Sequence, residues 1–318
     1  TRDMTSGPIV RQVVLFCLPL MLGNIFQMLY NTVDSVVVGN FVGTEALAAV
    51  GATTIIVNML VFFFNGFATG ASVVIGRYFG ARDMEQLHKS VETTMAATFL
   101  LSLFFTVGGV LAVEPMLKFM STPEDVFPQA AVYLRIYNAG CSGFLIYNMG
   151  SGLLRAVGDT TRPLYFLILT SVLNIVLDLV LIIVFHLGAA GAAYATVIAQ
   201  GVSALLCLIY IIKKVPILKL DRWDFKLDGH LVRQQLAIGF PMALQYSITA
   251  IGAMMVQAAL NVLGSVHVAA FTAANKIEQV VTQVYVALGT TMATYCAQNM
   301  GAGKVKRISR GFRATTIM

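Results

Sequence analysis

The stretch Ile75-Gly76-Arg77-Tyr78-Phe79-Gly80-Ala81-Arg82 recurs 221 residues later as Cys296-Ala297-Gln298-Asn299-Met300-Gly301-Ala302-Gly303. A second match lies upstream, where Pro19 and Pro241 are each preceded at the same distance by an Arg-Gln pair and are 222 residues apart. Matches that keep a fixed offset are the mark of an internal repeat. The chain is therefore predicted to contain one complete structural unit followed by part of a second.

The composition predicts an integral membrane protein. Hydrophobic residues make up 58% of the chain and charged residues only 11%, with a mean hydropathy of +0.80, against about 25% charged residues in a typical soluble domain. A membrane-spanning helix needs about 20 apolar residues to cross ~30 Å of hydrocarbon. Stretches near or above this length are predicted to form eight spans, at 12–38, 46–76, 91–113, 131–153, 163–186, 189–212, 235–262 and 267–299, with the start of a ninth near Gly311.

The distribution of Lys and Arg predicts the orientation. Of the 21 Lys and Arg, all except Lys118, Arg135 and Lys276 lie before span 1 or after an even-numbered span. By the positive-inside rule, this side of the membrane is the cytoplasmic one, and the N-terminus lies there. The net charge of +6 thus reflects topology and contact with anionic lipid, and it does not indicate nucleic-acid binding.

The repeat also predicts the domain organisation. Spans 1 and 7 both start on the cytoplasmic side, so the two copies are parallel, and parallel repeats in transporters place the substrate between the halves. We predict an N-terminal six-helix bundle at 1–212, a cytoplasmic linker at 213–232 and a partial C-terminal bundle at 233–318 that repeats 11–97.

Polar residues in span 1 form a candidate site. Gln27, Tyr30, Asn31 and Asp34 follow the spacing i, i+3, i+4, i+7, which places them on one side of a helix. An acid inside a membrane span is costly unless it faces water or a partner, so Asp34 indicates function. The alternative is that Asp34 caps the outer end of the helix.

Span 5 carries Asn174 and Asp178, again on one side of a helix. At ~1.5 Å per residue from the cytoplasmic end, Asp178 lies in the outer half of the bilayer, as does Asp34. Two carboxylates at similar depth in one bundle can share a proton or a cation. The alternative for Asp178 is a structural acid bonded to a neighbouring helix.

Other polar positions predict a lined cavity, a hinge and a second site. Asn148 and Ser151 in span 4 and Thr196 in span 6 are candidate supporting or cavity residues, although interhelical hydrogen bonding is the more common role of such groups. Pro19 is a candidate hinge because it removes a helix hydrogen bond. Lys276 and Glu278 in span 8 mark a candidate site in the second half.

The sequence resembles the multidrug and toxic compound extrusion (MATE) family of secondary transporters, and the likeness covers essentially the whole chain. The residues that carry it are Pro19, Tyr30-Asn31-Thr32-Val33-Asp34, Ser151-Gly152-Leu153-Leu154-Arg155-Ala156-Val157-Gly158-Asp159-Thr160, Asn174-Ile175-Val176-Leu177-Asp178 and Gly191-Ala192-Ala193-Tyr194-Ala195-Thr196. The resemblance implies an all-α polytopic membrane protein with twelve helices in two bundles. The equivalent of spans 9 to 12 lies mostly beyond residue 318, so the second bundle is expected to be C-terminally incomplete.

Within the family, the sequence is more similar to the DinF-like, prokaryotic proton-coupled branch. That resemblance implies that Asp34, Asp178 and Asn174 form the cation-coupling site and that the first helix bends at Pro19. Ser151 replaces the family asparagine, and Thr249 stands where the NorM-like branch has an acid.

The resemblance implies a secondary antiporter that exports organic, often cationic and amphipathic, compounds across the cell inner membrane by alternating access. The coupling ion would be H⁺ or Na⁺, with no other cofactor and no metal site. Small organic substrates and the lipid bilayer are the expected partners, nucleic acid is not, and the full-length protein would be monomeric. A lipid-linked precursor flippase of related fold, or a non-transporting truncated remnant, is the alternative. The chain shows none of the residue patterns of an intramembrane enzyme, so no enzymatic activity is predicted.

Overall fold

The regular elements in the part of the chain that the structure describes are helices. They run, in chain order, over Ile9–Phe41 (α1), Thr44–Ala81 (α2), Met84–Phe119 (α3), Phe127–Ala139 (α4), Cys141–Ala156 (α5), Thr161–Leu179 (α6), Gly188–Lys214 (α7), Gly229–Val262 (α8), Ser265–Gly301 (α9) and Val305–Ile317 (α10). This computed structural model describes residues 2–119, 122–218, 226–262 and 265–317, apart from some side chains of α2, α8 and α9.

Each of the eight predicted spans falls on a helix or a pair of helices. Among the described residues, five helices have the length and hydropathy of a membrane span: α1, most of α2, α3, α6 with its continuation to Val184, and α7. Apolar side chains on these helices are widely exposed, as Phe104 and Leu111 on α3 illustrate. Exposed apolar surface of this extent is suited to lipid rather than to water.

The fourth predicted span is two helices rather than one. It breaks at Gly140 into α4 and α5, of 13 and 16 residues, each shorter than the ~20 residues of a full span. A Cβ atom at Gly140 would overlap the side chain of Val197 on α7. The break therefore coincides with a close approach between the fourth and sixth spans.

The fifth span changes its helical form near its outer end. After α6 ends at Leu179, a π-helical turn runs over Val180–Val184. Gly191 of α7 packs against this turn, and a Cβ there would lie 3.3 Å from the Leu181 carbonyl oxygen. Single π-helical turns inside helices are frequent at functional sites, and this one begins two residues after Asp178.

Two faces of the molecule are defined by the helix ends. The basic face is the end where α1 and α8 begin and where α2 and α9 end, and it carries most of the Lys and Arg. The opposite face is the end where α1 finishes at Phe41. We call α1–α7 the first half and α8–α10 the second half. The predicted boundaries of the two bundles and their linker stay predictions, although α7 ends at Lys214 and α8 begins at Gly229.

The two halves meet along a line of glycines that we call the glycine seam, and α2 provides one side of it. A Cβ at Gly66 would lie 2.7 Å from the Ala243 backbone nitrogen of α8, and one at Gly70 would overlap the backbone of Gln235. Nearer the basic face, a Cβ at Gly80 would overlap the backbone of Gln298 on α9. The seam thus runs from the basic face to Gly66. At 1.5 Å per residue, Gly66 lies ~22 Å from the end of α2 on the basic face.

The last described helix contains the predicted start of the ninth span near Gly311. α10 begins at Val305, six residues before it. Gly311 lies inside the helix, where it is buried against the ring of Tyr295 on α9. The strongly basic first turns of α10 concealed this start in the hydropathy pattern.

Candidate functional site

Two helices of the first half bring the predicted acids together. Asp34 lies near the outer end of α1, and Asp178 lies in the last turn of α6. Their carboxyl groups are within hydrogen-bonding reach of each other. α1 packs against α6 along this side, and a Cβ at Gly23 of α1 would make an ordinary van der Waals contact of 3.5 Å with the Leu167 side chain. The pair can therefore hold one shared proton or one cation.

The carboxyl pair extends to an amide on the same side of α6. Asn174 lies one turn before Asp178, and the two residues are 2% and 0% exposed. Within the described part of the chain, neither amide atom of Asn174 and neither carboxylate oxygen of Asp178 has a hydrogen-bond partner. Leaving a buried polar group unpaired costs about 1–3 kcal/mol. The site is thus chemically suited to an incoming proton or small cation.

Tyrosines surround the carboxyl pair. The Tyr30 hydroxyl of α1 is within reach of the Gln27 and Gln200 side chains, and it lies near both carboxylates. Tyr133 of α4 also lies near both acids and is 6% exposed. Its ring stacks on Tyr137 with ring centroids 6.3 Å apart. The tyrosines thus line the surroundings of the carboxyl pair, although in the described residues neither carboxylate oxygen of Asp178 accepts a hydrogen bond from them.

A cavity opens beside the acids between α1, α6 and α7. Its volume is about 20 Å³, enough for one water molecule. Seven of its nine lining residues have polar side chains; the lining consists of Tyr30, Leu167, Thr170, Ser171, Asn174, Thr196, Ala199, Gln200 and Ser203. Ser203 donates to Thr170 across it at 2.7 Å. A single water molecule therefore has room beside Asn174 within the first half.

The other predicted site residues divide into two groups. Thr196 lines the cavity, and Ser151 is buried within reach of the Tyr147 hydroxyl. Asn148, by contrast, donates to the Phe144 carbonyl of its own helix at 2.8 Å. Asn31 is exposed, and no described contact joins it to the acids.

Neither the hinge at Pro19 nor the second-half site is tested by the described residues. α1 continues through Pro19 as one helix over Ile9–Phe41, so the predicted bend stays a prediction. The side chain of Lys276 lies outside the described residues. Glu278 is exposed, and the described residues give it no partner. The second-half site therefore stays a prediction as well.

Sequence reasoning missed Tyr133 and Arg155. Only helix packing places Tyr133, on α4, near Asp34. Arg155 was assigned to a loop, but it ends α5 as a half-buried residue. Its guanidinium lies near the hydroxyls of Tyr147 and, from the second half, Tyr246. In the described part of the chain it forms no ion pair or hydrogen bond.

Comparison with known proteins agrees with this architecture. The MatE family model matches residues 19–180 and 237–318. The chain belongs to the multidrug and toxic compound extrusion (MATE) family. It is accordingly an all-α polytopic membrane transporter and not an enzyme, as the sequence predicts. The comparisons do not distinguish the DinF-like branch from the others.

Individual relatives share the likeness over nearly the whole chain. This chain is 33% identical over 310 residues to the probable multidrug resistance protein YpnP of Bacillus subtilis, and the match covers 96% of this chain and 68% of that protein. It is 28% identical over 312 residues to a FAD transporter of Shewanella oneidensis, covering 96% and 68%. A solved outward-facing structure of a multidrug resistance MATE family transporter superposes with a TM-score of 0.92 at 26% identity, covering 99% of this chain and 70% of that one.

Proposed function

We propose that the protein is a cation-coupled exporter of amphipathic organic compounds that works by alternating access. The observation that carries this proposal is the set of half-buried Asp34 and buried Asp178 and Asn174. Among the described residues, Asp34 Oδ1 and the side-chain oxygens of Asp178 and Asn174 have no hydrogen-bond partner, and Asn174 lines a cavity. Such a set is costly in a membrane and is retained where a proton or ion is to be bound. The resemblance to proteins named for multidrug resistance supports export of organic compounds.

Coupling would follow from neutralisation of the carboxyl pair by the bound ion. When the carboxyl pair is empty of cation, two negative charges at hydrogen-bonding distance repel each other in a medium of low dielectric constant. Binding one proton or one Na⁺ removes that repulsion and lets α1 and α6 approach. An ion moving inward can thus change the packing of α1, on which Tyr30 and the hinge candidate Pro19 also lie.

The test of coupling is transport by Asp34→Asn. Because Asn keeps the size of the side chain and removes the titrating carboxyl, we expect export of a cationic dye to fall to background. Asp125→Asn is the matched control, since Asp125 is exposed outside the helices of the site. Unchanged efflux by Asp34→Asn would refute the proposed role of the pair.

The choice between H⁺ and Na⁺ needs a separate measurement. In liposomes, a pH gradient alone and a sodium gradient alone would be imposed in turn, with dye movement as the readout. We propose proton coupling, as in the DinF-like branch, because the two carboxyls lie within reach of sharing one proton. Transport driven only by sodium would contradict this choice.

We place the transporter in the inner membrane as a monomer, with the basic face toward the cytoplasm. The support for the orientation is the concentration of Lys and Arg at that face. The glycine seam closes the basic face, so this structure would correspond to a transporter closed toward the cytoplasm. The likeness to a structure called outward-facing is in line with this assignment.

A second candidate function is export of organic anions, and Arg155 favours it. A half-buried guanidinium without an acid partner in the described residues can bind a phosphate or carboxylate in bidentate fashion. One relative is named a FAD transporter. Arg155→Gln should then reduce transport of a flavin nucleotide about tenfold and leave a cationic dye unaffected. Equal loss for both substrates would speak against this second function.

A further inference from the structure

The chain ahead of α1, residues 2–7, is held as tightly as a helix, and we call it the strap. Terminal segments of polar sequence are usually poorly ordered unless contacts tie them down. Here Met4 is 0% exposed and Thr5 is 8% exposed. Met4 packs in a cluster with Phe16 of α1 and Tyr295 of α9. The middle of the strap, Met4 and Thr5, is therefore buried between the two halves, while the residues on either side of it are exposed.

One side of the strap is bonded to the first half. The backbone N–H of Arg2 donates to the Val157 carbonyl oxygen, in the loop between α5 and α6, at 2.9 Å. Gly158 in the same loop has a positive φ of 85°, and a Cβ there would overlap the Arg2 backbone. The strap is also continuous with α1. Its connection to the first half is consequently covalent as well as packed.

The other side of the strap is bonded to α9 in the second half. The Met4 N–H donates to Gln298 Oε1 at 2.9 Å, and Asn299 Nδ2 donates to the Met4 carbonyl oxygen at 3.2 Å. Gln298 also donates through Nε2 to the Ala156 carbonyl oxygen of the first half at 2.8 Å. One buried amide thus joins the strap, α9 and α5.

Two cations around the start of α10 complete the attachment. Lys304 Nζ donates to the Thr5 carbonyl oxygen at 2.8 Å. Arg307 Nη2 donates to the Gly7 carbonyl oxygen at 2.8 Å and to Gln12 Oε1 of α1 at 2.9 Å. Hydrogen bonds from charged groups are about twice as strong as neutral ones. Side chains of the second half therefore hydrogen-bond to backbone carbonyl groups of the strap.

We propose that the strap is a latch on the basic face, which holds the two halves together there and must leave α9 and α10 each time the transporter opens to that side. The inference rests on the proposed alternating-access function. Because the strap is covalently part of the first half, separation of the halves breaks its bonds to Gln298, Asn299, Lys304 and Arg307. Bonds to Val157 can persist. The latch thus opens between the strap and the second half.

A reversible cross-link tests whether release is required. In protein whose four native cysteines are replaced, Thr5→Cys and Lys304→Cys would be joined by a short dithiol-reactive reagent. We expect transport in liposomes to stop on cross-linking and to return after reduction. Each single-cysteine protein, treated in the same way, is the control. Undiminished transport by fully cross-linked protein would overturn the latch.

A labelling measurement tests whether the cations hold the latch shut. Met4→Cys, in the same background, would be exposed to a membrane-impermeant maleimide from the basic face. We expect Arg307→Ala to speed labelling about tenfold, since several charge-assisted hydrogen bonds are lost. Arg310→Ala removes an equal charge from the exposed side of the same helix and should leave the rate unchanged. Equal rates in the two variants would overturn the proposal.

Two further controls distinguish failure of the latch from misfolding and from failure of the proposed transport function. Arg307→Lys retains the charge and one donor group, so it should label at an intermediate rate even where Arg307→Ala folds poorly. Labelling requires no transported substrate. Absence of transport in the unmodified protein would therefore refute the proposed function. A labelling rate of Met4→Cys that does not change with Arg307→Ala would refute the latch alone.

Discussion

On the basic face, the amide of Gln298 is bonded at both ends, whereas near the opposite face the amide of Asn174 is bonded at neither in the described residues. Both side chains are buried, at 0% and 2% exposure. The first amide joins the halves at the end of the glycine seam, and the second lies beside the carboxyl pair. The contrast is between these two side chains and not between two whole regions, because Gln235 Oε1 and Asn299 Oδ1, at the contact between the halves, also lack a partner among the described residues.

The largest expected effect comes from substitution of Asp178, one helical turn after the unpaired amide of Asn174. Asp178→Asn should reduce transport to background while the melting temperature in detergent stays equal or rises, because an uncompensated buried charge has been removed. Transport assays and thermal unfolding on the same preparation would check both outcomes. A variant that unfolds at lower temperature would indicate that Asp178 is a structural acid, which is the alternative raised from the sequence.

A substitution in the glycine seam should lower the stability of the protein, unlike Asp178→Asn. In Gly80→Ala the new methyl group would overlap the backbone of Gln298, so we expect a loss of about 1–3 kcal/mol in stability. Gly108→Ala on α3 is the control, because nothing lies within 4 Å of a Cβ there, and helical Ala should be neutral or slightly favourable. Equal melting temperatures for the two variants would contradict the close approach of α2 and α9.

The two buried amides allow a direct comparison. Gln298→Ala leaves the Met4 N–H and the Ala156 carbonyl oxygen without that partner, which should cost about 2 kcal/mol. Asn174→Ala loses no described hydrogen bond and should cost less stability but more transport activity. Thermal unfolding and dye export of both variants provide the measurement. A larger loss of stability in Asn174→Ala would reverse the comparison.

The smallest effect concerns the pH dependence of the strap. Burial alone would raise the pKa of Asp3, but hydrogen bonds from Thr5 and the charges of Arg82 and Lys304 outweigh it, so the pKa is lowered. A lowered pKa contributes stability that is present above the ordinary Asp pKa and is lost as pH falls through the lowered one. Because maleimide reacts with the thiolate and slows in acid, the rate for Met4→Cys is divided by that of a free thiol at the same pH, and this ratio should rise in acid. Asp3→Asn should remove that part of the pH dependence.

The sequence predicted the acids well because membrane burial makes ionisable residues rare. Asp34 and the Asn174–Asp178 pair stood out from apolar spans, and the i, i+4 spacing was enough to place the latter two on one side of α6. Asn31 shows where periodicity fails. It lies about 100° from Tyr30 around the helix, so the two are at opposite edges of the polar stripe. Packing on α6, rather than spacing, decides that Asn31 is exposed.

The strap and the glycine seam could not be predicted in the same way. Residues 2–7 are polar and short, and their partners Gln298 and Arg307 lie near the other end of the chain. The repeat identified Gly80 and Gly301 as equivalent positions, but not that they would meet across α2 and α9. Contacts between distant segments depend on the relative placement of whole helices, which local patterns of residues do not specify.

The glycine seam has a consequence for kinetics. Backbone atoms that touch directly have no flexible side chains with which to follow a small displacement, and a radial gap of only 0.5–1 Å forfeits about a quarter to a half of the dispersion energy. Partly separated states of α2 against α8 and α9 should therefore be sparsely populated. Interconversion at the basic face would be all-or-none, with single-molecule traces showing two dwell levels and abrupt steps between them.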